Sequence, residues 1–256
     1  MAYNPFSVAD KTILVTGASS GIGRATSVEL SRMGARVVLF GRNPEKLNQT
    51  LSLLSNKEIH LHFAFDLMDE EARKNVISEI KKRIDYLDAL VHCAGISSTS
   101  VLRSLKIEKL NKHFEINVNS GFMLANELIS KKNALIGSGA SIVFLSSVMA
   151  SVGEVGKMAY AMSKGAVLAG VKSMALELAE KGIRVNAVSP GVVETPMSSS
   201  SFYSKNEERL EKIKNLHPLG LGKPQDVAHA CVYLASDASR WVTGSNLLID
   251  GGYTAR

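Results

Sequence analysis

The sequence predicts an α/β protein with a doubly wound parallel sheet of about seven strands and helices on both faces. Short, almost wholly apolar runs recur along the chain, as expected for strands buried on both faces. Helical stretches of ten or more residues separate most of these runs, which is the spacing of β-α-β crossovers. No change of composition, repeat or proline-rich linker divides the chain, so residues 1–256 are expected to form a single domain.

Each strand is predicted where apolar, often β-branched residues cluster. In chain order the strands are TILVT (12–16), RVVLF (36–40), IHLHFAF (59–65), ALVHC (89–93), SIVFLSS (141–147), RVNAVSP (184–190) and NLLID (246–250). Helices are predicted from apolar residues that repeat with a helical period. Their ranges are 21–34, 44–54, 70–84, 105–130, 157–182 and 224–236.

The composition argues against several classes of protein. No apolar run approaches the roughly 20 residues needed to cross a bilayer. The segment MAYNPFSVADK lacks the basic and apolar regions of a secretory signal, so a cytoplasmic location is expected. Two cysteines are too few for a disulfide framework, and the six histidines are scattered without metal-ligand spacing. We therefore expect reduced thiols and no metal site.

The net charge of +6 does not indicate nucleic-acid binding. The 30 basic and 24 acidic residues are spread along the chain, without an arginine-rich tail or a basic stripe interleaved with aromatic residues. A positive protein of this kind suits anionic small molecules or an acidic carrier protein better.

A glycine-rich turn follows the first predicted strand. The segment TGASSGIG places Gly17, Gly21 and Gly23 between that strand and a helix. Glycine there allows positive φ and close approach of the backbone to a diphosphate, whose charge then lies at the positive end of the helix. Tight strand-to-helix turns favour glycine even without a ligand, but the position in the first β-α unit indicates nucleotide binding.

Tyr160 and Lys164 stand four residues apart in the YAMSK of a long predicted helix. The spacing places a phenol and an ammonium on one face, one turn apart. A surface tyrosine beside a lysine is the simpler alternative, because this spacing also occurs by chance. A free phenol has a pKa of about 10, and an adjacent cation stabilises the phenolate, which eases proton exchange near neutrality. Ser147 is a candidate to hold the same substrate oxygen, and Ser146 is a weaker one.

Together these motifs resemble the short-chain dehydrogenase/reductase family. The turn has the spacing GxxxGxG, and further motifs follow in the family's order from about residue 10 to the end of the chain. They are Ala94-Gly95, Asn117, SSV at 146–148, the Tyr160/Lys164 pair, PGVVET at 190–195 and GSNLLIDGG at 244–252. The resemblance implies a Rossmann-type fold and reversible hydride transfer between a nicotinamide cofactor and a carbonyl or secondary alcohol.

The resemblance also implies individual roles. Tyr160 is expected to protonate the substrate oxygen as hydride reaches carbon, with Ser147 holding that oxygen and Lys164 assisting and binding the cofactor ribose. Asn117 is expected to position a water beside Lys164; its alternative is a polar helix residue satisfied locally. The cofactor is expected to contact Gly17, Ser19, Ser20, Gly21, Ile22, Gly23, Arg42, Asp66, Leu67, Ala94, Gly95, Tyr160, Lys164, Pro190, Gly191, Val193 and Thr195.

Arg42 predicts NADP(H) in preference to NAD(H). At the end of the second strand, where an acidic residue would bond the ribose 2′-hydroxyl of NAD, the chain has Gly41 and then Arg42. A planar guanidinium suits a 2′-phosphate, although Ser20 stands where many NADP-using relatives carry another basic residue. Asp66 with Leu67 resembles the family's adenine contact, in which the carboxylate accepts a hydrogen bond from the adenine amine; the alternative is an N-cap of the following helix, and the two roles are compatible.

The chain departs from the family pattern at His92 and Cys93, where relatives usually have two asparagines. A thiol is a weak hydrogen-bonding group, so we predict altered local bonding rather than lost activity. His92 alternates with apolar residues and is predicted to be a buried histidine with satisfied hydrogen bonds. Cys93 is predicted to be a buried, inert thiol, with a redox-sensitive site as the alternative.

The substrate is the least determined feature. Residues 197–219 are expected to form a mobile lid over it, and the general pattern is most similar to 3-oxoacyl-[acyl-carrier-protein] reductases. Four lysines on or beside helices could supply the basic surface that an acidic carrier protein needs, with simple solvated lysines as the alternative: Lys131, Lys132, Lys172 and Lys181. Sugars, polyols, steroids and other carbonyl compounds are the alternative substrates.

Two further expectations concern partners and class. A non-catalytic nucleotide-sensing protein is the alternative outside the enzymes, but the presence of Ser147, Tyr160 and Lys164 argues against it. The resemblance implies a homodimer or homotetramer that associates through the helices around 105–130 and 157–180, and often through the last strand.

Overall fold

The computed structural model describes residues 4–199 and 207–255. Within these ranges seven parallel strands form one sheet in the order β3-β2-β1-β4-β5-β6-β7, so the predicted fold class is confirmed. The strands are β1 (Thr12–Thr16), β2 (Arg36–Gly41), β3 (Leu61–Ala64), β4 (Ala89–His92), β5 (Ser141–Leu145), β6 (Arg184–Pro190) and β7 (Asn246–Ile249).

Helices lie on both faces of the sheet. In the described ranges they are α1 (Gly21–Arg32), α2 (Pro44–Ser52), α3 (Glu70–Lys81), α4 (Ile107–Phe114), α5 (Ser120–Ile129), α6 (Met158–Ala179), α7 (Pro196–Ser199), α8 (Glu207–Asn215) and α9 (Pro224–Ala235). The predicted helix over 105–130 is divided, because a π-helical turn, Glu115–Asn119, joins α4 to α5. None of the described helices is both long and apolar enough to span a bilayer.

The core consists of two apolar layers, one on each face of the sheet. Successive strand residues point to opposite faces, so Ile13 and Val15 pack into the layer with α1, α2 and α9, whereas Leu14 packs into the layer with α3, α5 and α6. Burial on both faces explains why the strands are apolar throughout rather than alternating.

The strand order reverses between β1 and β4. These strands are neighbours in the sheet although β2 and β3 lie between them in the chain. The segments that leave their carboxyl ends diverge to opposite faces and open a crevice, which is where ligands bind in sheets of this type. The glycine-rich turn after β1 and the Ala94-Gly95 segment after β4 both border that crevice.

The predicted lid lies at the same edge of the sheet and is described in part. Its first residues belong to α7, and its later residues form the charged helix α8. Residues 200–206 of the predicted lid lie outside the described residues.

Candidate active site

Two adjoining cavities open at the carboxyl edge of the sheet. The glycine cavity, about 230 Å³, extends from the glycine-rich turn past Arg42 to Asp66 and Leu67. The tyrosine cavity, about 150 Å³, is lined by Ser147 and Tyr160 among others. The residues that line both cavities are Ile22, Cys93, Gly95, Ile96, Thr195 and Met197.

The glycine-rich turn is too tightly packed for side chains at two of its glycines. Gly17 has φ of +66°, and a Cβ there would lie 2.9 Å from the backbone nitrogen of Ala94. A Cβ at Gly23 would lie 2.3 Å from the carbonyl oxygen of Gly17. Helix α1 starts in this turn, and its N-cap residue, Ser20, makes no side-chain capping bond. The first backbone N–H groups of α1 therefore border the cavity without a side-chain cap, an arrangement that suits an anion.

The far end of the glycine cavity carries the predicted cofactor-selecting residue. Arg42 is exposed and lines the cavity directly after β2. A Cβ at Gly41 would lie 3.1 Å from the Leu47 side chain and 3.3 Å from Cβ of Ser19, so the space for an acidic side chain here is restricted. The cavity therefore presents a guanidinium, and no carboxylate, at the end of β2.

Asp66 lines the cavity but is not the N-cap of α3. Its Oδ1 accepts a hydrogen bond from the backbone nitrogen of Met68 at 2.9 Å, whereas Asp69 caps the helix by accepting from the backbone nitrogen of Ala72 at 3.0 Å. The alternative role of Asp66 as the N-cap is therefore excluded, because Asp69 is the residue that directly precedes the first helical turn.

A buried ion pair holds the neighbouring segment. Arg73 donates to the carboxylate of Glu127 at 2.9 Å and to the carbonyl oxygen of Leu67. Its side chain is almost fully buried, so the pair joins α3 to α5 beneath the cavity. No motif identified this contact, because it joins two helices distant in sequence.

The two serines that follow β5 differ in the hydrogen bonds that their hydroxyl groups form. Ser147 lines the tyrosine cavity, and its Oγ accepts a hydrogen bond from the backbone nitrogen of Met149 at 3.2 Å. Oγ of Ser146 donates to the carbonyl oxygen of Lys164 at 2.9 Å and so joins the end of β5 to α6. The geometry therefore favours Ser147 as the residue that meets a substrate.

Tyr160 and Lys164 occupy the first turns of α6, beside the cavity. Nζ of Lys164 donates to the carbonyl oxygen of Leu145 at 2.6 Å and lies 5.8 Å from the centroid of the Tyr160 ring. Burial lowers the pKa of Lys164 to about 8, because an ammonium loses hydration inside the protein. The Lys164 ammonium and a negative charge on the Tyr160 phenol oxygen would stabilise each other.

Asn117 lies beside Lys164, in the π-helical turn. A Cβ at Gly95 would lie 3.1 Å from Oδ1 of Asn117 and 3.5 Å from Nζ of Lys164. Oδ1 accepts from the backbone nitrogen of Ile96 at 2.7 Å, while Nδ2 donates to the Ile96 carbonyl at 3.0 Å and to Oγ of Ser163 at 2.9 Å. The amide is thus satisfied by distant segments rather than locally. Its catalytic role stays a prediction, although π-helical turns often mark functional sites.

His92 is a buried histidine with hydrogen bonds at both ring nitrogens. Nδ1 lies 2.9 Å from Oγ1 of Thr16, and Nε2 lies 3.4 Å from Oγ of Ser120. Burial lowers the pKa of His92 to about 3, so the ring is neutral near pH 7. Oγ1 of Thr16 also accepts from the backbone nitrogen of Ala94 at 3.1 Å. The prediction for His92 is confirmed, and its bonds connect β1, β4 and the start of α5.

Cys93 borders both cavities, but its thiol is not activated. Burial raises the pKa of Cys93 well above its ordinary value and that of Cys231 to about 12. The thiolate is the form that reacts with oxidants and metals. Cys93 is only partly buried, contrary to the prediction, whereas its raised pKa agrees with the prediction of an inert thiol.

The four lysines that could hold a carrier protein do not surround the cavities. Lys131 and Lys132 follow the C-terminal end of α5, and Lys181 directly precedes β6, so all three lie near the amino edge of the sheet. Lys172 is exposed on α6, twelve residues and thus about 18 Å along the helix from Tyr160. Their positions therefore favour the alternative of solvated lysines, because the edge of the sheet that each lysine meets depends on its place along the helix.

The PGVVET segment closes one side of both cavities. A Cβ at Gly191 would lie 2.9 Å from Nε2 of His217, and the same Nε2 accepts from the backbone nitrogen of Val192 at 3.0 Å. Oγ1 of Thr195 accepts from the backbone nitrogen of Ser198 at 3.2 Å. Among the predicted contacts of this segment, those that line the tyrosine cavity are Pro190, Gly191, Val193 and Thr195.

The motifs missed two charged residues of the tyrosine cavity, Glu154 and Lys157. Lys157 precedes the first residue of α6, and its Nζ donates to Oγ of Ser97 at 3.3 Å. The available signal was its position three residues before Tyr160, which predicts a place on the same side of the helix.

Comparisons with known proteins agree with this geometry. A family model described as Enoyl-(Acyl carrier protein) reductase matches residues 17–254. The 3-oxoacyl-[acyl-carrier-protein] reductase of Rickettsia conorii is 36% identical over 243 residues, which are 94% of this chain and 96% of the relative. The cyclopentanol dehydrogenase of Comamonas testosteroni is 36% identical over 97% of this chain and 98% of its own.

A solved structure extends the comparison. It is a protein of Beutenbergia cavernae provisionally described as an NAD(P)-dependent gluconate 5-dehydrogenase, with NADP bound at low occupancy. It superposes with a TM-score of 0.90 at 32% identity, over 99% of this chain and 100% of the other. The match thus covers both cavities and the elements that form them.

Proposed function

This chain belongs to the short-chain dehydrogenase/reductase family, and from that premise we propose that it transfers hydride reversibly between NADP(H) and a carbonyl or secondary-alcohol substrate. The observation that carries the proposal is the placement of Ser147, Tyr160 and Lys164 together beside a cavity that adjoins the glycine cavity. The tyrosine cavity supplies a place for the reaction, and the glycine cavity supplies a place for the nucleotide.

The residues of the glycine cavity fit a dinucleotide. Backbone atoms crowd Gly17 and Gly23, and the uncapped N–H groups at the start of α1 suit a diphosphate. Asp66 and Leu67 would hold the adenine at the far end, while Val193 of the tyrosine cavity and Thr195, which lines both cavities, would hold the nicotinamide. The bound nicotinamide supplies or accepts the hydride.

The residues of the tyrosine cavity handle the proton. In the reducing direction the hydroxyl of Tyr160 donates its proton to the substrate oxygen, on which negative charge develops. The hydroxyl of Ser147 donates a hydrogen bond to the same oxygen. The ammonium of Lys164 stabilises the negative charge left on Tyr160, and in the oxidising direction the same groups act in reverse.

Arg42 supports NADP(H) over NAD(H). Replacing Arg42 with Asp removes a charge-assisted bond to the 2′-phosphate and adds a repelling carboxylate that suits a free ribose hydroxyl. We expect Arg42→Asp to lower the ratio of kcat/KM for NADPH to that for NADH by about 100-fold, since bonds to charged groups contribute about 1.5–3 kcal/mol. Lys57→Asp makes the same charge change at an exposed residue of the opposite edge and should leave the ratio unchanged. An unaltered ratio in Arg42→Asp would discredit the phosphate role.

Two substrate classes have support from relatives. A 3-oxoacyl thioester has support from the names of curated relatives, and a sugar or polyol from the gluconate dehydrogenase neighbour. The position of the four surface lysines removes the electrostatic argument for an acidic carrier.

The test is NADPH oxidation with a panel of ketones, sugar ketones and 3-oxoacyl thioesters. Turnover of at least one class supports the proposal. NADPH binding without turnover of any would overturn it in favour of a nucleotide-sensing protein.

Association is a further part of the proposal. Met123 of α5, Met162 and Leu176 of α6, and Leu248 of β7 are apolar and exposed. Their positions on the long helices and the last strand support a homodimer or homotetramer, because burying exposed apolar side chains stabilises association.

A further inference from the structure

The tyrosine cavity contains a buried cation that the hydride transfer itself does not require. Lys157 is only 7% exposed and lines the cavity together with Ser147 and Tyr160. Within the described residues its Nζ has one hydrogen-bond partner, Oγ of Ser97 at 3.3 Å. An ammonium has three donors, so two of them are available to a ligand.

The charges around Lys157 leave it partly uncompensated. Burial lowers the pKa of Lys157; the carboxylate of Glu154 opposes this shift, and the ammonium of Lys109 reinforces it. Glu154 lines the same cavity but forms no ion pair with Lys157 within 4.0 Å in the described structure. Folding has thus already removed part of the hydration of Lys157. An anion that binds there gains an attractive interaction without a further desolvation cost for the ammonium.

On the basis of the proposed function, we infer that this cavity selects substrates with a carboxylate close to the reacting carbonyl, bound by Nζ of Lys157 and the hydroxyl of Ser97. Oγ of Ser97 accepts a bond from Lys157, so its own proton is free to be donated to the carboxylate. The carbonyl then lies beside Ser147 and Tyr160, and the carboxylate lies beside Lys157 and Ser97, since all four residues line the same cavity.

The cavity suits a small monoanion. Two ammonium groups, those of Lys157 and Lys164, and one carboxylate, that of Glu154, line the cavity, and the one positive charge in excess matches a single negative charge better than the double charge of a phosphate. The cavity is about 150 Å³, and the proposed nicotinamide site takes up part of it, so the remaining space suits a small substrate. Short oxo acids and the corresponding hydroxy acids fit both conditions, whereas a thioester carries no charge at that position.

The test compares acids with their uncharged amides. NADPH oxidation is measured with 3-oxobutanoate and 3-oxobutanamide, and with 4-oxopentanoate and its amide. We expect wild type to prefer one acid over its amide in kcat/KM, and Lys157→Met to lower that ratio roughly 10- to 100-fold. Lys157→Arg should retain part of the preference, because it keeps the charge. Lys172→Met removes an exposed lysine from α6, the helix that follows Lys157, and should keep the wild-type ratio.

A second measurement separates this inference from the proposed function. Calorimetry with butanoate and butanamide reports carboxylate binding without turnover, in wild type and in Lys157→Met. Absence of NADPH oxidation with every ketone would overturn the proposed function. Even then, butanoate binding that is stronger than butanamide binding, and that Lys157→Met abolishes, would support the carboxylate site. Equal use of acids and amides, or a preference for 3-oxobutanoyl thioester that Lys157→Met leaves unchanged, would overturn the inference.

Discussion

Tyr160→Phe is expected to lower kcat for carbonyl reduction by about 1,000-fold. The substitution keeps the ring on α6 and removes only the hydroxyl, which is the proton donor of the proposed reaction. Positioned acids and bases contribute typically 100- to 10,000-fold to a rate, so the loss of this group exceeds what any packing change would cause.

The measurement is steady-state NADPH oxidation with the best substrate of the panel. NADPH binding, followed by fluorescence, should change by less than about threefold, because Lys164 and the other expected cofactor contacts are retained in the variant. If the phenylalanine variant turned over within tenfold of wild type, the role of Tyr160 as proton donor would have to be abandoned.

Lys164→Met is expected to lower kcat at least 100-fold and also to change how stability depends on pH. The catalytic loss follows from removing the charge 5.8 Å from the Tyr160 ring, since a preorganised charge at a developing anion contributes about 100- to 1,000-fold. Methionine has nearly the length of lysine and no charge, so the shape of α6 is retained.

The stability effect follows from the lowered pKa of Lys164. In the unfolded chain its pKa is 10.5, and in the folded protein about 8. Between these values the unfolded state binds a proton that the folded state does not, so the free energy of unfolding rises with pH. Relative to Lys164→Met, wild type should gain about 3 kcal/mol between pH 8 and pH 10.5, because each pKa unit is worth about 1.4 kcal/mol.

This effect is measured by urea unfolding of the protein without cofactor at several pH values. Lys172→Met, which removes an exposed lysine of the same helix, should follow wild type. Parallel curves for wild type and Lys164→Met across the window would show that Lys164 is not desolvated as its position in the structure implies.

Most of the sheet could be predicted from the sequence, because strands buried on both faces appear as unbroken apolar runs. The fifth strand shows the limit. The run SIVFLSS predicted a strand over 141–147, but β5 ends at Leu145, and Ser147 is the N-cap of a 3₁₀ turn, Val148–Ala150. The apolar pattern does not define that boundary, since it contains no information on the bond from Oγ of Ser146 to the Lys164 carbonyl, 18 residues away in sequence.

The site was predictable to the extent that its motifs are local. The glycine-rich turn and the Tyr160/Lys164 pair are each contained within a few residues, and the structure brings them to adjoining cavities. Asn117 could be named from the family pattern, but the three hydrogen bonds that occupy its amide could not, because Ile96 and Ser163 are distant in sequence.

The sequence by itself determined the fold class and the chemical groups of the proposed hydride transfer, because periodicity and motif spacing are properties of neighbouring residues. The tertiary structure decided which charges face the substrate. It placed Lys131 and Lys181 near the opposite edge of the sheet and buried Lys157 in the tyrosine cavity. The sequence does not show which of these lysines is buried and which is far from the site, since the surroundings of a side chain depend on how distant segments pack around it.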